Sequence, residues 1–215
     1  MKAHTSSLTR KLIRKWDRHA PGYDRMSEPM EHMLGFAQAR ARLFSGLSGT
    51  ILELGVGTGR NLPYYPQDAR MIALDLSRGM IGHAVRKANA LSSTVVFLVG
   101  DAEELPFADA SLDAVVGSGV FCCVPDAVRG FREIKRILKP GGKVVLLEHM
   151  RPTGVLGLFF DLLDPLVSRF MGPHINRRTL ESIRAAGLVI EHEENVHSNW
   201  VKLVVANRKK PEREG

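Results

Sequence analysis

The stretch that decides the fold is Thr50-Ile-Leu-Glu53-Leu-Gly55-Val-Gly57-Thr-Gly59-Arg-Asn61, in which a short apolar run leads directly into closely spaced glycines. The apolar run predicts a buried strand that ends in a glycine turn. In an open parallel sheet, ligands bind at the carboxyl ends of the strands near the topological switch point. The spacing is G-x-G-x-G with Arg at position 60, and it differs from the G-x-G-x-x-G of dinucleotide folds. The stretch therefore predicts a ligand site of another kind at this turn.

Strand-like and helix-like segments alternate after this turn. A helical stretch is predicted around residues 30–47 before it, and Arg178 to Ala186 is predicted as a helix near the end of the chain. This alternation favours a doubly wound α/β fold with a mostly parallel sheet, closed by an antiparallel pair. The predicted strands are 50–54, 71–74, 95–99, 112–117, 143–147, 188–195 and 200–206, with helices over 79–91 and 127–138 between them.

Two carboxylates follow later strands. Asp75 ends the second predicted strand, and a carboxylate there can accept hydrogen bonds from both ribose hydroxyls of an adenosine. Asp101, in Gly100-Asp-Ala102, ends the third, where a carboxylate can accept a hydrogen bond from an exocyclic amine such as adenine N6. With the glycine turn, these residues predict a nucleoside-cofactor site.

Composition and charge limit the other functions. A chain of 215 residues with 44% hydrophobic and 25% charged residues fits one folded domain. The net charge of +7 suggests an anionic partner, either nucleic acid or an acidic membrane surface. Adjacent Cys122 and Cys123 predict a reducing compartment, and no signal peptide is expected at the N-terminus. The apolar segment 155–171 contains Asp161, Asp164, Pro165 and Arg169, so it is not expected to span a bilayer.

The first eighteen residues carry most of the excess positive charge. Leu8, Leu12, Ile13 and Trp16 fall on one stripe at helical spacing, flanked by Arg and Lys. This amphipathic helix has two interpretations. It packs on the domain with a charged face toward solvent, or it lies on an anionic membrane surface with its stripe inserted.

The motifs together resemble a known family. The series E-L-G-V-G-T-G, L-D-L-S, G-D-A-E-E-L-P-F, S-L-D-A-V-V and E-I-K-R-I-L-K-P-G-G-K is similar to class I methyltransferases of the quinone-biosynthesis and phospholipid-methylating kind. The resemblance covers residues 16–150 and implies a seven-stranded sheet, Rossmann-like, with its last strand antiparallel. It implies S-adenosylmethionine as cofactor and no metal. The cofactor-binding residues expected are Tyr23, Glu53, Gly55, Gly57, Gly59, Asn61, Asp75, Leu76, Met80, Asp101, Ala102, Ser118 and Gly119.

The segment Trp16-Asp-Arg-His-Ala-Pro-Gly-Tyr23-Asp24 is similar to the part of that family that caps the cofactor. The resemblance implies that Tyr23 lies over the sulfonium end, where an aromatic ring favours a nearby cation by about 0.5 to 2 kcal/mol. The alternative is an ordinary packing tyrosine.

A more detailed resemblance concerns the methyl acceptor. W-D-R-H-A-P-G-Y-D, G-T-G-R-N-L-P-Y-Y-P, V-F-C-C-V-P-D and L-E-H-M-R-P look like bacterial phosphatidylethanolamine N-methyltransferases of the quinone-methylase type. This implies stepwise methylation of an ethanolamine amine toward phosphatidylcholine. The amine must first lose a proton, and His149, His174, Tyr23 or water are the candidate acceptors. His149 and Tyr23 are the catalytic candidates, and His174, Arg177 and Trp200 are the candidate acceptor-binding residues.

Other acceptors stay open. A prenylated quinone precursor methylated on carbon needs no phosphate clamp, and a small thiol or amine needs no N-terminal helix. A nucleoside-binding protein without catalysis would keep only the cofactor site. Nucleic acid is disfavoured because the basic residues are not interleaved with stacking aromatics.

The expected organisation follows from these motifs. Residues 1–24 form the helix and capping segment, 25–207 the methyltransferase domain and 208–215 a tail. A monomer is expected in the cytoplasm, associated peripherally with the inner face of the cell membrane through the N-terminal helix, with a phospholipid as substrate.

Overall fold

The central strands of the sheet are apolar on both faces, as expected for parallel strands covered by helices. In the computed structural model, residues 7–170 and 172–209 are described, without the side chains of Ser7 and Leu8. The strands are β1 Thr50–Leu54, β2 Arg70–Asp75, β3 Val95–Val99, β4 Leu112–Ser118, β5 Leu138–His149, β6 Val189–His197 and β7 Val201–Asn207. The helices are α1 Ser7–His19, α2 Tyr23–Met33, α3 Phe36–Leu43, α4 Arg78–Ala90, α5 Ala127–Ile137, α6 Val155–Phe170 and α7 Thr179–Ala185.

The strand order is β3-β2-β1-β4-β5-β7-β6. Strands β1 to β5 pair in parallel, and β7 runs antiparallel to both β5 and β6. The predicted seven-stranded, mostly parallel Rossmann-like sheet and its closing antiparallel pair are confirmed. The chain reverses its direction of strand addition between β1 and β4, and this topological switch point lies where the glycine turn leaves β1.

Alternating side chains on each strand divide the core between the two sheet faces. On β1, Leu52 packs with the cluster under α5 and α7, whereas Ile51 packs with the cluster around Leu43 of α3. On β5, Val144 and Val145 divide in the same way. This alternation fixes the register of each strand. The parallel direction of β1 to β5 brings their carboxyl ends to a common edge.

Two segments differ from the prediction made from the sequence. The helix expected over residues 30–47 is broken at Gly35, which has a φ of 75° and separates α2 from α3. An added Cβ there would lie 3.3 Å from Cγ1 of Val196, so the break is also a close approach to β6. The fifth strand begins at Leu138, five residues before the predicted start, because the backbone pairs with Leu112 before the register shift in β4.

The N-terminal helix is present as α1, and it packs on the domain. Asp17 accepts hydrogen bonds from the Ser77 hydroxyl at 2.5 Å and from the Gly79 backbone N–H at 2.9 Å. Arg10, Lys11, Arg14 and Arg18 are exposed. The charged side of α1 therefore points away from the domain, and contact of this side with an anionic membrane stays a prediction.

The start of the predicted tail is attached to the domain. Arg208 donates from Nη1 to the Leu138 carbonyl at 2.6 Å, and its backbone N–H donates to the Gly142 carbonyl. Residues 210–215 lie outside the described residues.

Candidate active site

A cavity of about 210 Å³ opens at the carboxyl edge of the sheet, against the glycine turn. Its wall takes residues from the ends of β1, β2, β3, β4 and β5 and from the segment around α1 and α2. The expected site residues in this wall are Tyr23, Gly55, Gly57, Asp75, Leu76, Met80, Asp101, Ala102, Ser118, Gly119 and His149. The topology therefore gathers residues that are separated by up to 126 positions in the chain.

Asp75 holds the glycine turn as well as facing the cavity. One carboxylate oxygen accepts the Gly57 N–H at 2.8 Å, and the other accepts the Ser77 N–H at 2.8 Å. Burial raises the pKa of Asp75, while these backbone donors act in the opposite direction. Each oxygen keeps a second lone pair, so the carboxylate can still accept from a ligand hydroxyl.

The glycines of the turn need their conformation for different reasons. Gly55 has a φ of 70°, and an added Cβ would meet Val120 Cγ2 at 2.4 Å. Gly59 has a φ of 82°, and its Cβ would meet Leu62 Cδ1 at 2.5 Å. Gly57 has a φ of 55° with open space around its Cβ position. Gly55 and Gly59 thus permit packing of the protein on itself, whereas Gly57 leaves room on the cavity side.

Glu53 and Asn61 lie behind the cavity wall in a buried polar network. Asn61 donates to Glu53 at 2.7 Å and accepts from Arg40 at 2.6 Å, and Tyr65 also donates to Glu53. Arg40 also donates to the Ser118 hydroxyl at 3.0 Å. Burial raises the pKa of Glu53 to about 7. These contacts show that Glu53 and Asn61 support the loops that face the cavity.

The capping segment is attached to the glycine turn by charged contacts that the sequence motifs did not reveal. Asp24 accepts from the Thr58 hydroxyl at 2.5 Å and from Arg60 at 2.9 Å. Glu31 accepts from Arg40 at 2.5 Å and from Arg60 at 2.8 Å. The segment that contains Tyr23 is therefore fixed over the turn, and Tyr23 itself lines the cavity.

Two aromatic rings of the capping segment lie in the cavity wall. Trp16 and Tyr23 meet edge to face with ring centroids 6.1 Å apart. Burial and the Glu31 carboxylate raise the pKa of Tyr23 well above its usual value, so the phenol is uncharged near neutral pH. Glu31 adds a carboxylate to the same wall.

His149 ends β5 at the cavity wall. Its Nε2 lies 3.3 Å from the His174 carbonyl oxygen. Because a carbonyl can only accept, Nε2 carries the proton and Nδ1 keeps a free lone pair. Desolvation lowers the pKa of His149, so the imidazole is uncharged near neutral pH.

The three candidate acceptor-binding residues lie outside the cavity lining. His174 pairs with Asp164 at 2.8 Å and holds His149 through its carbonyl. Arg177 donates to the Val124 carbonyl at 2.8 Å, and Trp200 packs against Phe160 with centroids 5.5 Å apart. Contact of these side chains with an acceptor stays a prediction.

The wall fits a nucleoside cofactor. Asp75 and Asp101 supply acceptors at neighbouring strand ends, apolar Leu76, Met80 and Ala102 can flank a flat base, and Gly57 leaves space beside the turn. Among the described residues, no cluster of three or more His, Cys, Asp or Glu side chains could hold a metal ion.

The comparisons with known proteins agree with this geometry. The family described as "Methyltransferase domain" matches residues 52–146. A demethylmenaquinone methyltransferase of Roseiflexus castenholzii is 32% identical over 170 residues, which cover 74% of this chain and 71% of that protein. A phosphatidylethanolamine N-methyltransferase of Cereibacter sphaeroides is 35% identical over 103 residues, which cover 47% of this chain and 51% of that protein.

The fold is also similar to that of solved structures. Geranyl diphosphate C-methyltransferase of Streptomyces coelicolor, solved with S-adenosyl-L-homocysteine, superposes with a TM-score of 0.73 at 17% identity, covering 96% of this chain and 100% of that one. The chain belongs to the class I S-adenosylmethionine-dependent methyltransferases, and S-adenosylmethionine is its cofactor.

A pair of glycine substitutions separates backbone strain from cofactor binding. We expect Gly57→Ala to weaken S-adenosylmethionine binding by at least about tenfold, because its methyl group projects into open space on the cavity side. Gly46→Ala is the matched control, since Gly46 also has a positive φ of 68° and open space but lies before β1. Both variants should lose about 1 to 2 kcal/mol of stability. Calorimetric titration gives the affinities, and equal affinities in the two variants would contradict the assignment.

Glu148 predicts an unusual pH dependence of stability. It accepts the Val120 and Phe121 N–H groups through Oε1, while Oε2 is buried without a hydrogen-bond partner. Burial raises the pKa of Glu148 from 4.5 to about 7. The native state therefore holds this proton to higher pH than the unfolded state does. The contribution of Glu148 to the free energy of unfolding is therefore fully present below pH 4.5, and it is lost as the pH rises through about 7.

The decrease in unfolding free energy caused by Glu148 amounts to about 3 kcal/mol. We expect Glu148→Gln to remove this decrease. Relative to the wild type, the variant should gain unfolding free energy between acidic and mildly alkaline pH, as measured by urea denaturation. Glu28→Gln, at an exposed position of α2, is the control and should follow the wild type. Parallel pH profiles for all three proteins would show that Glu148 titrates normally.

Proposed function

We propose that this methyltransferase methylates the amine of phosphatidylethanolamine, stepwise toward phosphatidylcholine, at the membrane surface. The observation that carries the proposal is that the Trp16 and Tyr23 rings and the uncharged His149 imidazole line one cavity. Aromatic faces favour methylated ammonium groups, and an uncharged imidazole can take the proton that an ammonium must lose. An amine acceptor uses both features.

The chemistry divides between the cofactor and the protein. S-adenosylmethionine supplies an electrophilic methyl group. His149 accepts the amine proton at Nδ1, and its Nε2–H remains on the His174 carbonyl throughout. Tyr23 and Trp16 favour the positive charge that the acceptor nitrogen gains. The capping segment, held by Asp24 and Asp17, excludes water and orients the acceptor, which supplies most of the acceleration.

The proposed location follows from the substrate. We infer a monomeric, cytoplasmic enzyme that contacts the inner face of the cell membrane, with no nucleic-acid partner. Cys122 and Cys123 are both free thiols, which agrees with a reducing compartment. The inference of membrane contact is supported by the exposed cations on α1. No helix in the described part of the chain has the length and apolarity needed to cross a bilayer.

A prenylated quinone precursor is the second candidate acceptor. Its support is the Roseiflexus castenholzii relative, whose match covers more of this chain than that of the phosphatidylethanolamine N-methyltransferase. A quinol hydroxyl also has to lose a proton before its ring carbon is methylated, so His149 has a use in both reactions.

Transfer of labelled methyl groups distinguishes the two acceptors. The purified protein is given labelled S-adenosylmethionine with anionic vesicles that contain either phosphatidylethanolamine or a prenylated demethylquinol. Label in mono-, di- and trimethylated phospholipid is the expected result. Label in the quinol alone would reject the phospholipid proposal and keep the methyltransferase assignment.

A further inference from the structure

Helix α6 turns acidic side chains toward the domain and apolar side chains outward, which is the reverse of an ordinary surface helix. Asp164 is buried and accepts from His174 at 2.8 Å and from the Ile175 N–H at 2.7 Å. Asp161 pairs with Arg151 at 2.7 Å. The acidic side chains of α6 therefore anchor it to the segments that follow β5 and α6.

The opposite side of α6 is apolar and exposed. It consists of residues at positions i, i+4, i+7, i+11 and i+15, which form one stripe on a helix. The exposed fraction is 83% for Val155 and 76% for Leu162. We call this stripe the α6 face, and its members are Val155, Phe159, Leu162, Leu166 and Phe170, with Leu158 beside them. A contiguous exposed apolar surface of this kind on a soluble domain marks an interaction site.

Positive charge lies next to the α6 face. Arg169 is exposed near its end, and Lys15 of α1 donates to the Ser168 and Arg169 carbonyls at 3.3 Å. The outward cations of α1 therefore adjoin the carboxyl end of α6. A two-fold contact between copies through this end would bring like charges together, whereas an anionic lipid surface complements both the apolar stripe and the cations.

The cavity wall includes one residue just beyond the end of α6 and one from an exposed apolar stripe on α2. Pro173, just beyond α6, and Met30 of α2 both lie in the cavity wall. Met26, Met30 and Met33 form an exposed stripe on α2. A lipid headgroup in the cavity would therefore have the exposed apolar surface of α2 beside it for its acyl chains.

We propose that the α6 face is the membrane-inserting surface, with α1 supplying the charge that attracts anionic headgroups. The choice of a lipid surface as the occupant rests on the proposed function. The proposal assigns the apolar contact with that surface to α6. On α1, Leu12 and Trp16 line the cofactor cavity instead.

The test measures vesicle binding without turnover. Flotation with vesicles of equimolar phosphatidylcholine and phosphatidylglycerol compares the wild type with Leu162→Gln/Leu166→Gln. The control is Leu91→Gln/Val96→Gln, which changes two apolar residues away from α6 that are partly exposed, though less so than Leu162 and Leu166. We expect the α6 variant to partition at least about tenfold more weakly than the wild type, and the control to match the wild type. Unchanged S-adenosylmethionine affinity in all variants shows that the fold is intact.

Two outcomes overturn the proposal. Equal binding by the α6 variant and the wild type would place the membrane contact elsewhere. A wild type that does not bind vesicles but forms a dimer, which the α6 variant dissociates, would assign the face to a second copy. If vesicle binding follows the expectation while phospholipid is not methylated, the substrate proposal fails and the docking surface stands.

Discussion

Replacing Asp75 with alanine should lower the affinity for S-adenosylmethionine by about two to four orders of magnitude. Two interactions are lost together. The carboxylate supplies acceptors for ligand hydroxyls at the end of β2, and it holds the Gly57 and Ser77 N–H groups at 2.8 Å. Hydrogen bonds to a charged group contribute about 1.5 to 3 kcal/mol each, so losing two of them gives an effect of this size.

Calorimetric titration with the cofactor checks this expectation. Asp75→Asn keeps one oxygen acceptor and should fall between alanine and the wild type. Asp68→Ala, at an exposed turn before β2, is the control and should bind normally. An Asp75→Ala variant that is folded and binds within a factor of about three of the wild type would remove Asp75 from the cofactor site.

The strand-end residues could be predicted because the signals that place them are local. Glu53, Asp75 and Asp101 each belong to or directly follow an apolar run, and a parallel sheet brings such positions to one edge. The same logic placed His149 at the cavity, whereas Ser118 was expected there through the resemblance. Reasoning from strand ends did not distinguish the residues that face the cavity from Glu53 and Asn61, which lie behind its wall. Which side a residue takes depends on the geometry of the glycine turn.

The contacts that fix the capping segment could not be predicted in this way. Asp17 reaches Ser77 across 60 positions, and Asp24 reaches Thr58 across 34. No periodicity in a single sequence relates such pairs. The capping role of this segment was expected only through resemblance, and the charged contacts that hold it there emerged from the structure.

Helix α6 shows where hydrophobic patterning is ambiguous in principle. An apolar stripe predicts a buried face, but the pattern does not say which side of a helix the domain takes. Here Asp161 and Asp164 find partners in Arg151 and His174, so the polar side turns inward. The apolar side faces outward as a consequence.

Replacing His149 with alanine should lower kcat by about two to three orders of magnitude while leaving S-adenosylmethionine affinity unchanged. Loss of a positioned general base typically has an effect of this size. The expectation depends on the uncharged imidazole whose Nε2–H is held by the His174 carbonyl. His192→Ala, at an exposed position of β6, is the control for histidine removal.

The pH profile distinguishes a base from a structural residue. A base works when deprotonated, so the wild-type rate should rise with pH and level off above the pKa of His149. Desolvation lowers that pKa from 6.5, which places the rising limb on the acidic side of this value. The alanine variant should lose this limb, and added imidazole should restore part of the rate because it can occupy the vacated space. A variant with a reduced rate, the wild-type pH profile and no rescue would show that His149 only supports the cavity wall, and the proton would then have to leave through water or Tyr23.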